Sequence, residues 1–405
     1  MGKLMYKVSQ STGKTQVWSA WVEGDSVVVE HGELGGKLQL QRTASTPKNQ
    51  GRSNATTAEE QALLEVKALY EDRYTNKHYR YTEEEAEVLA SQCREPRKIH
   101  NYKDHSHKLP DEVYVSAKLN GSRACIINGE LFSKIGRKEE IKVEHIRKAV
   151  EAIPNFTADC EVYAHGLSLQ RIRSAWLKPV KTDKEIIKIA NDRRKALEPS
   201  VDKITTLCSA VKYLGYNPNE DAEKLQLWVF DVPKTGMCFE DRWSKVLLDI
   251  RHAVDDLHLQ DSIKIVWTTK VNKSEVLSIR DSLCNFDGYE GCVVYDPDDM
   301  YEFGKRSYTC QKSKPRPDSE ALVVNCTEDK LGQGVLHLQT NEEMGGVSFK
   351  AKMKGTAEDR AFNLQKEFIG SWVTYSYEEL SDAGKPTKPV VHEQRICNKQ
   401  GKPEE

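Results

Sequence analysis

Alternating apolar and polar positions open the chain. Tyr6–Val8, Thr15–Trp21 and Ser26–Glu30 carry valine and aromatic residues with period two, which predicts short strands. Gly32-Glu33-Leu34-Gly35-Gly36 predicts a turn into a further strand, and Lys48–Asn54 reads as a polar, basic loop. Thr57-Ala58-Glu59-Glu60 has the spacing of a capping box, and Ala62, Val66, Leu69 and Tyr70 then fall on one helical face. Residues 1–85 are therefore expected to form a small sheet with one helix. Residues 86–109 are polar, mixed in charge and broken by Pro96, so they are expected to be a linker. Over residues 110–317 strands alternate with helices. Strands are expected at Glu112–Ala117, Ala124–Ile127, Glu130–Ser133, Ala158–Tyr163, Leu225–Val232 and Thr309–Lys314, with Gly288–Tyr295 as a turn into a strand. Two helical faces stand out: Ile146, Ala149, Val150 and Ile153, then Trp243, Val246, Leu247, Ile250 and Val254. Pro315-Arg316-Pro317 marks a hinge. Beyond it, residues 318–405 hold four strand-like runs and one helical stretch, Thr356–Phe368, a pattern that suits a small Greek-key barrel such as an OB-fold. The fold class expected is α+β, with antiparallel sheets in the central domain.

Composition changes this picture little. A chain of 405 residues favours two or three domains, at about 100–200 residues each. No apolar run approaches the roughly 20 residues of a membrane span, so no membrane partner is expected. Met1-Gly2-Lys3-Leu4-Met5 lacks the apolar core of a signal peptide. The net charge of -2 does not announce a nucleic-acid partner, and any such contact must come from local clusters. Three exist: Arg94–Lys108, Lys178–Lys203 and Lys305–Arg316. The second mixes acids among its lysines and reads as the solvated face of a helix. His100, His105 and His107 sit in the first, without a fourth ligand at metal-site spacing. The ten cysteines include no Cys-x-x-Cys pair, which argues against zinc fingers and redox motifs and for free thiols in a reducing cytosol.

The candidate chemistry centres on Ala117-Lys118-Leu119-Asn120-Gly121-Ser122-Arg123, between two expected strands. An amine held near a second cation and partly desolvated loses its proton more readily and becomes a nucleophile. An arginine fork suits phosphate oxygens. Further along come Ser133-Lys134-x-Gly136-Arg137, Asp159-x-Glu161, Phe230-Asp231, Glu290-Gly291-x-Val293 and Lys312-x-Lys314. Period two puts Lys312 and Lys314 on one side of their strand.

This order of motifs resembles the covalent nucleotidyltransferases (DNA ligases, RNA ligases and capping enzymes), and most of all the ATP-dependent DNA ligases of bacteriophage type. Secondary signatures agree: Tyr163-Ala164-His165-Gly166-Leu167-Ser168, Phe239-x-x-Arg242, Gly304-Lys305-Arg306-Ser307 and Gly384-Lys385-Pro386. The resemblance covers roughly residues 112–395. It implies an adenylation domain at 110–317, an OB-fold at 318–405, and ATP and Mg2+ as cofactors. The implied partner is nicked double-stranded DNA, the implied state a monomer, and the compartment cytoplasmic, that of the host for a phage protein. Lys118 would be the nucleophile that forms lysyl-AMP. Arg123, Arg137, Glu161, Phe230, Lys312 and Lys314 would bind the nucleotide, and Glu290 with Glu161 would hold the metal.

The N-terminal Trp18, Gly32 and Gly35 pattern loosely resembles a WGR module, without the Trp-Gly-Arg tripeptide. Lys48 and Arg52 of that module, and Lys305 and Arg306 of the third basic cluster, are candidate nucleic-acid contacts. Three departures from the family stand out. Asn120 replaces the usual aspartate beside the nucleophile. Ser133-Lys134 replaces Ser-Arg, leaving Lys134 and Arg137 as alternatives. Arg395-Ile396-Cys397-Asn398-Lys399 only echoes the pyrophosphate-orienting motif of cellular ligases. The competing readings are an RNA ligase or RNA-end repair enzyme, and a non-catalytic DNA-end-binding protein.

Overall fold

The structure, a computed structural model, describes residues 2–398 and 401–403. Lys399, at the end of the Arg395 echo, lies outside the described residues. The N-terminal module is a four-stranded antiparallel sheet of β1 (Met5–Val8), β2 (Thr15–Glu23), β3 (Ser26–Glu33) and β4 (Gln39–Ala44), in that order. The helix Ala58–Asn76 covers it and starts at the expected capping box, where Thr57 and Glu60 each accept from the other's backbone N–H. Met5, Trp18 and Ala20 meet Val66, Leu69 and Tyr70 between the two layers.

Residues 86–109 are not a linker. Glu83–Gln92 is a helix capped by Thr82, and Lys98–Asn101 is a strand, β5. The central domain continues with β6 (Glu112–Lys118), β7 (Ser122–Ile127), β8 (Glu130–Phe132), β9 (Lys138–Glu139), β10 (Ala158–Tyr163), β11 (Gln226–Asp231), β12 (Ile263–Ile265), β13 (Thr268–Asn272), β14 (Gly291–Tyr295) and β15 (Arg306–Ser313). They make two sheets. One has the order β12-β11-β10-β7-β8-β9, the other β13-β6-β14-β15-β5. The sheets are mixed rather than purely antiparallel, because β12 runs parallel to β11 and β5 parallel to β15. β5 escapes a sequence reading because four residues beside a proline show no usable period. Its partner is also some 200 residues away.

β6 reads Glu-Val-Tyr-Val-Ser-Ala-Lys, with β-branched and aromatic residues and little alternation. An inner strand covered on both faces needs that pattern. Val113 and Val115 are fully buried there, each stabilising the fold by about 1.5–3 kcal/mol relative to exposure. Beneath the sheets lies a buried ionic quartet. Arg242 sends Nε to Asp231 Oδ1 at 2.7 Å and Nη2 to Asp299 Oδ2 at 3.0 Å. Arg97, just before β5, ion-pairs with the same two carboxylates, with Asp231 at 2.8 Å and with Asp299 more closely. Asp231 ends β11 and Arg97 precedes β5, so the quartet ties the two sheets together.

The segment Lys178–Lys203 carries the helix Asp183–Leu197, which packs on the helix Leu207–Leu214 through Ile186, Ala190, Ala210 and Leu214. After Pro317 comes a closed five-stranded barrel: β16 (Asp318–Glu328), β17 (Gly334–Thr340), β18 (Ser348–Met353), β19 (Trp372–Ser376) and β20 (Val390–Arg395). β18 and β20 pair in parallel, and the connection before β19 carries a short helix, Phe362–Gln365, in place of the longer one expected over Thr356–Phe368. Two ion-pair contacts tie barrel and module, from Lys330 Nζ to both oxygens of Glu65.

Candidate active site

Strand register builds the site. Lys118 is the last residue of β6, opposite Gly291 of β14, and its carbonyl accepts the Glu290 N–H at 3.0 Å. Val293 of β14 faces Lys312 of β15 on the other side. Three adjacent strand ends thus bring Lys118, Glu290, Lys312 and Lys314 together from three separate stretches of sequence. The Lys118 amine donates to Glu290 Oε2 at 2.5 Å, and Lys314 donates to Glu290 Oε1 at 3.0 Å. Burial would raise the Glu290 carboxyl, but the two lysines hold it below the usual range. For Lys314 burial pulls downward, and Glu290 with Glu378 outweighs it and raises the amine. Lys312 has the opposite fate: burial, then Lys314 and Lys118, push its pKa down.

The other sheet supplies the opposite wall. β7 and β10 pair Arg123 with Glu161. The Arg123 fork grips Asp159 through Nε at 2.9 Å and Nη2 at 2.5 Å, and its Nη1 reaches the Arg97 carbonyl at 2.8 Å. Its guanidinium lies 5.6 Å from the Phe230 ring centre. Three of its five N–H groups are therefore engaged, and Arg123 forms the floor under Phe230. Glu161 Oε1 accepts the Gly121 N–H at 3.1 Å. Burial pushes the Glu161 carboxyl up to about 7, against the pull of Lys118 and Arg123. Gly121 has to be glycine, because a Cβ there would stand 2.2 Å from the Val162 carbonyl oxygen.

These walls enclose a cavity of about 410 Å³, lined by Lys118, Arg123, Lys134, Glu161, Phe230, Arg306 and Lys312 among others. A ring, a carboxylate and several cations at one amine suit a purine nucleotide with its phosphates. Arg137 is not among the lining residues. Gly136, at φ 77°, reverses the chain between Ser133 and Arg137. Lys134 consequently lines the cavity, while Arg137 pairs with Glu139 and faces a larger hollow of about 790 Å³ beside His78 and Cys93. That hollow holds no other member of the cluster.

Arg306, a candidate nucleic-acid contact, lines the nucleotide-sized cavity, with Nη1 on the Ile99 carbonyl. Lys305 is exposed and pairs with Glu302. Lys48 and Arg52 stand on an exposed loop of the module, with Lys48 Nζ 3.6 Å from Glu65. Among the described residues no group of three or more His, Cys, Asp or Glu could hold a metal ion. Glu161 and Glu290 are two carboxylates, the number a Mg2+ ion takes when phosphate oxygens and waters complete its shell. Sequence reasoning missed Arg97, Asp159 as the partner of Arg123, and the barrel residues Glu378 and Glu379. Glu378 Oε2 sits 3.1 Å from Lys314 Nζ, and Glu379 Oε2 accepts from Asn120 Nδ2 at 2.5 Å.

No protein-family model matches the chain. A DNA ligase of Haemophilus influenzae (strain Rd) is 27% identical over 190 residues, which is 46% of this chain. The chain spans about 63% of the length of that curated relative. Among solved structures, one from a study of Lig E DNA ligases superposes with a TM-score of 0.54 at 20% identity, covering 74% of this chain and 99% of that one. The fold is similar to that of this solved ligase structure. A structure named Pmar-Lig_Pre gives a TM-score of 0.52 at 17% identity, over 78% of this chain and 71% of that one.

Proposed function

We propose that the chain is an ATP-dependent DNA ligase. Lys118 attacks the α-phosphorus of ATP, expels pyrophosphate and becomes lysyl-AMP. The AMP passes to the 5′-phosphate of a nick, and the adjacent 3′-hydroxyl displaces it. The observation that carries this reading is the Lys118 amine on Glu290, inside a cavity that also presents Phe230, Glu161, Lys134, Arg306 and Lys312. Phe230 offers the adenine a face to stack on. Lys312, Lys134 and Arg306 offer positive charge to phosphate oxygens as charge builds on them. Glu290 accepts a hydrogen bond from the Lys118 amine and so keeps Lys118 aimed into the cavity until a nucleotide arrives. Glu161 and Glu290 are the residues that would hold Mg2+, which when bound neutralises phosphate charge.

The strand order and parallel closure of the C-terminal barrel support an OB-fold. It would first cover ATP and then turn to clamp the duplex, acting mostly on phosphates and hence in a salt-sensitive way. Lys48 and Arg52 of the N-terminal module, and Lys305 of the central domain, are candidates for further phosphate contacts.

The test is covalent labelling. The protein is incubated with α-labelled ATP, GTP or NAD and Mg2+, and label retained on the protein is read. ATP is expected to label the wild type and not Lys118→Ala. A label that survives Lys118→Ala moves the nucleophile elsewhere, and no label from any nucleotide removes the ligase reading. Chasing the adduct with nicked DNA and nicked RNA then decides the strand chemistry, with Asn120 the residue that keeps the RNA arm in the design.

A further inference from the structure

Between β19 and β20 the barrel projects a tight hairpin. Thr387 N–H bonds the Glu379 carbonyl at 2.8 Å, Ser381 N–H bonds the Lys385 carbonyl at 2.9 Å, and Gly384 turns at φ 68°. All three of its acids reach the central domain or its edge. Glu379 takes the Asn120 amide, Glu378 takes Lys314 and also Lys388 at 2.7 Å, and Asp382 Oδ2 accepts from Ser168 Oγ at 3.1 Å. Arg316, at the domain junction, braces the same hairpin through Nη2 to the Lys388 carbonyl at 3.0 Å. The contact to Asn120 falls two residues from the nucleophile, on the loop that carries it.

Loop 119–121 is anchored from within its own domain by the buried Leu119 side chain and by two hydrogen bonds. Gly121 N–H is held by Glu161, and the Leu119 carbonyl accepts weakly from the Lys118 amine at 3.4 Å. The Asn120 side chain is the loop's contact to another domain. An amide can donate to Glu379, whereas an aspartate at this position would meet it with a second carboxylate. Like charges so placed repel, and the hydrogen bond to the carboxylate is lost.

We infer that Glu379 is a positioning residue for Lys118, acting across the domain boundary through Asn120. Its carboxylate orders the nucleophile's loop only while the hairpin rests on the central domain, and Glu378 holds Lys314 in the same arrangement. Loading of the lysine is thereby confined to the closed form. Sealing, which needs the barrel elsewhere, does not use the contact. The inference rests on the ligase reading and deepens it.

The experiment is an exchange of charge and amide across the contact. Asn120→Asp, Glu379→Gln and the double variant are assayed for two rates: self-labelling with α-labelled ATP, and sealing of a nick already adenylated at its 5′-phosphate. Asn120→Asp is expected to slow labelling about tenfold more than it slows sealing. Glu379→Gln keeps a neutral hydrogen bond and is expected to be milder. The double variant restores a bond of reversed direction, so its labelling should recover to within about threefold of Glu379→Gln. The urea midpoint of each variant separates misfolding from misplacement. Three outcomes overturn the inference: Asn120→Asp labelling at the wild-type rate, a double variant as slow as Asn120→Asp, or equal losses in labelling and sealing. If the wild type itself takes no label, the ligase reading fails instead, and the two failures are told apart.

Discussion

Replacing Arg97 by methionine should both destabilise the central domain and reverse the way its stability depends on pH. Arg97, Arg242, Asp231 and Asp299 form a neutral quartet, and all four are 2% exposed or less. Arg97 ion-pairs with both aspartates and lies 5.2 Å from the Tyr295 ring and 5.1 Å from the Tyr301 ring. Methionine fills much of that volume without the charge. Arg242 then faces two buried carboxylates alone. Orphaning one partner of a buried pair costs about 3–5 kcal/mol, a large share of a domain's stability. In the wild type burial raises Asp299, but Arg97, a bond from Thr309 and then Arg242 hold it below its ordinary range. Its contribution is therefore present above the unfolded pKa and lost as pH falls through the folded one. In the variant the orphaned carboxylate has a raised folded pKa, so stability is fullest at low pH and drains away as pH rises through that value. Urea titrations followed by tryptophan fluorescence between pH 5 and pH 8 read both effects. Adding Asp299→Asn removes the surplus charge and should recover most of the loss at pH 8. A variant within about 1 kcal/mol of wild type at pH 8, or one that weakens as pH falls, would refute the reasoning.

Four further outcomes follow from the site. Because Glu161 sits at about 7, self-labelling should rise with pH through neutrality as the carboxylate forms, and Glu161→Gln should flatten that limb; an unchanged profile would remove Glu161 from the reaction. The same raised pKa means that ionising Glu161 costs the fold as pH rises through 7, so the Gln variant should unfold at a higher urea concentration than wild type at pH 8. Phe230→Ala should raise the ATP concentration for half-maximal labelling roughly tenfold or more, the scale of a lost base stack. Gly121→Ala drives a Cβ against the Val162 carbonyl and must shift the nucleophile's loop, so labelling should fall about a hundredfold, and a rate near wild type would show that the loop does not position Lys118.

Much of this site was legible before any coordinates. Lys118, Glu290, Lys312 and Lys314 were readable from the order of motifs shared with the nucleotidyltransferases, and each lies at or beside the end of a strand that its own residues predict. Phe230 and Glu161 were readable for the same reason. Arg137 was misplaced because a single glycine at positive φ decides which of two nearby cations faces the cavity, and charge pattern does not encode that. Arg97 and β5 were hidden in a stretch whose polarity imitates a linker, since the partners that neutralise Arg97 lie 134 and 202 residues away, at Asp231 and Asp299. Glu378 and Glu379 were hidden because their meaning comes from where the barrel docks, and no local period reports docking.

The register of β6, β14 and β15 has a consequence for synthesis on the ribosome. Lys118 emerges early, but the Glu290 and Lys314 side chains that frame its amine follow 172 and 196 residues later, beside β14, which must zip onto β6, and β15, which must zip onto β14. A nascent chain holding only the first half of the central domain carries the lysine on an unpaired strand edge, with no wall to aim it. The amine therefore gains its chemistry at one late moment in translation, when the last inner strands close, and a truncated chain is a lysine without a reaction.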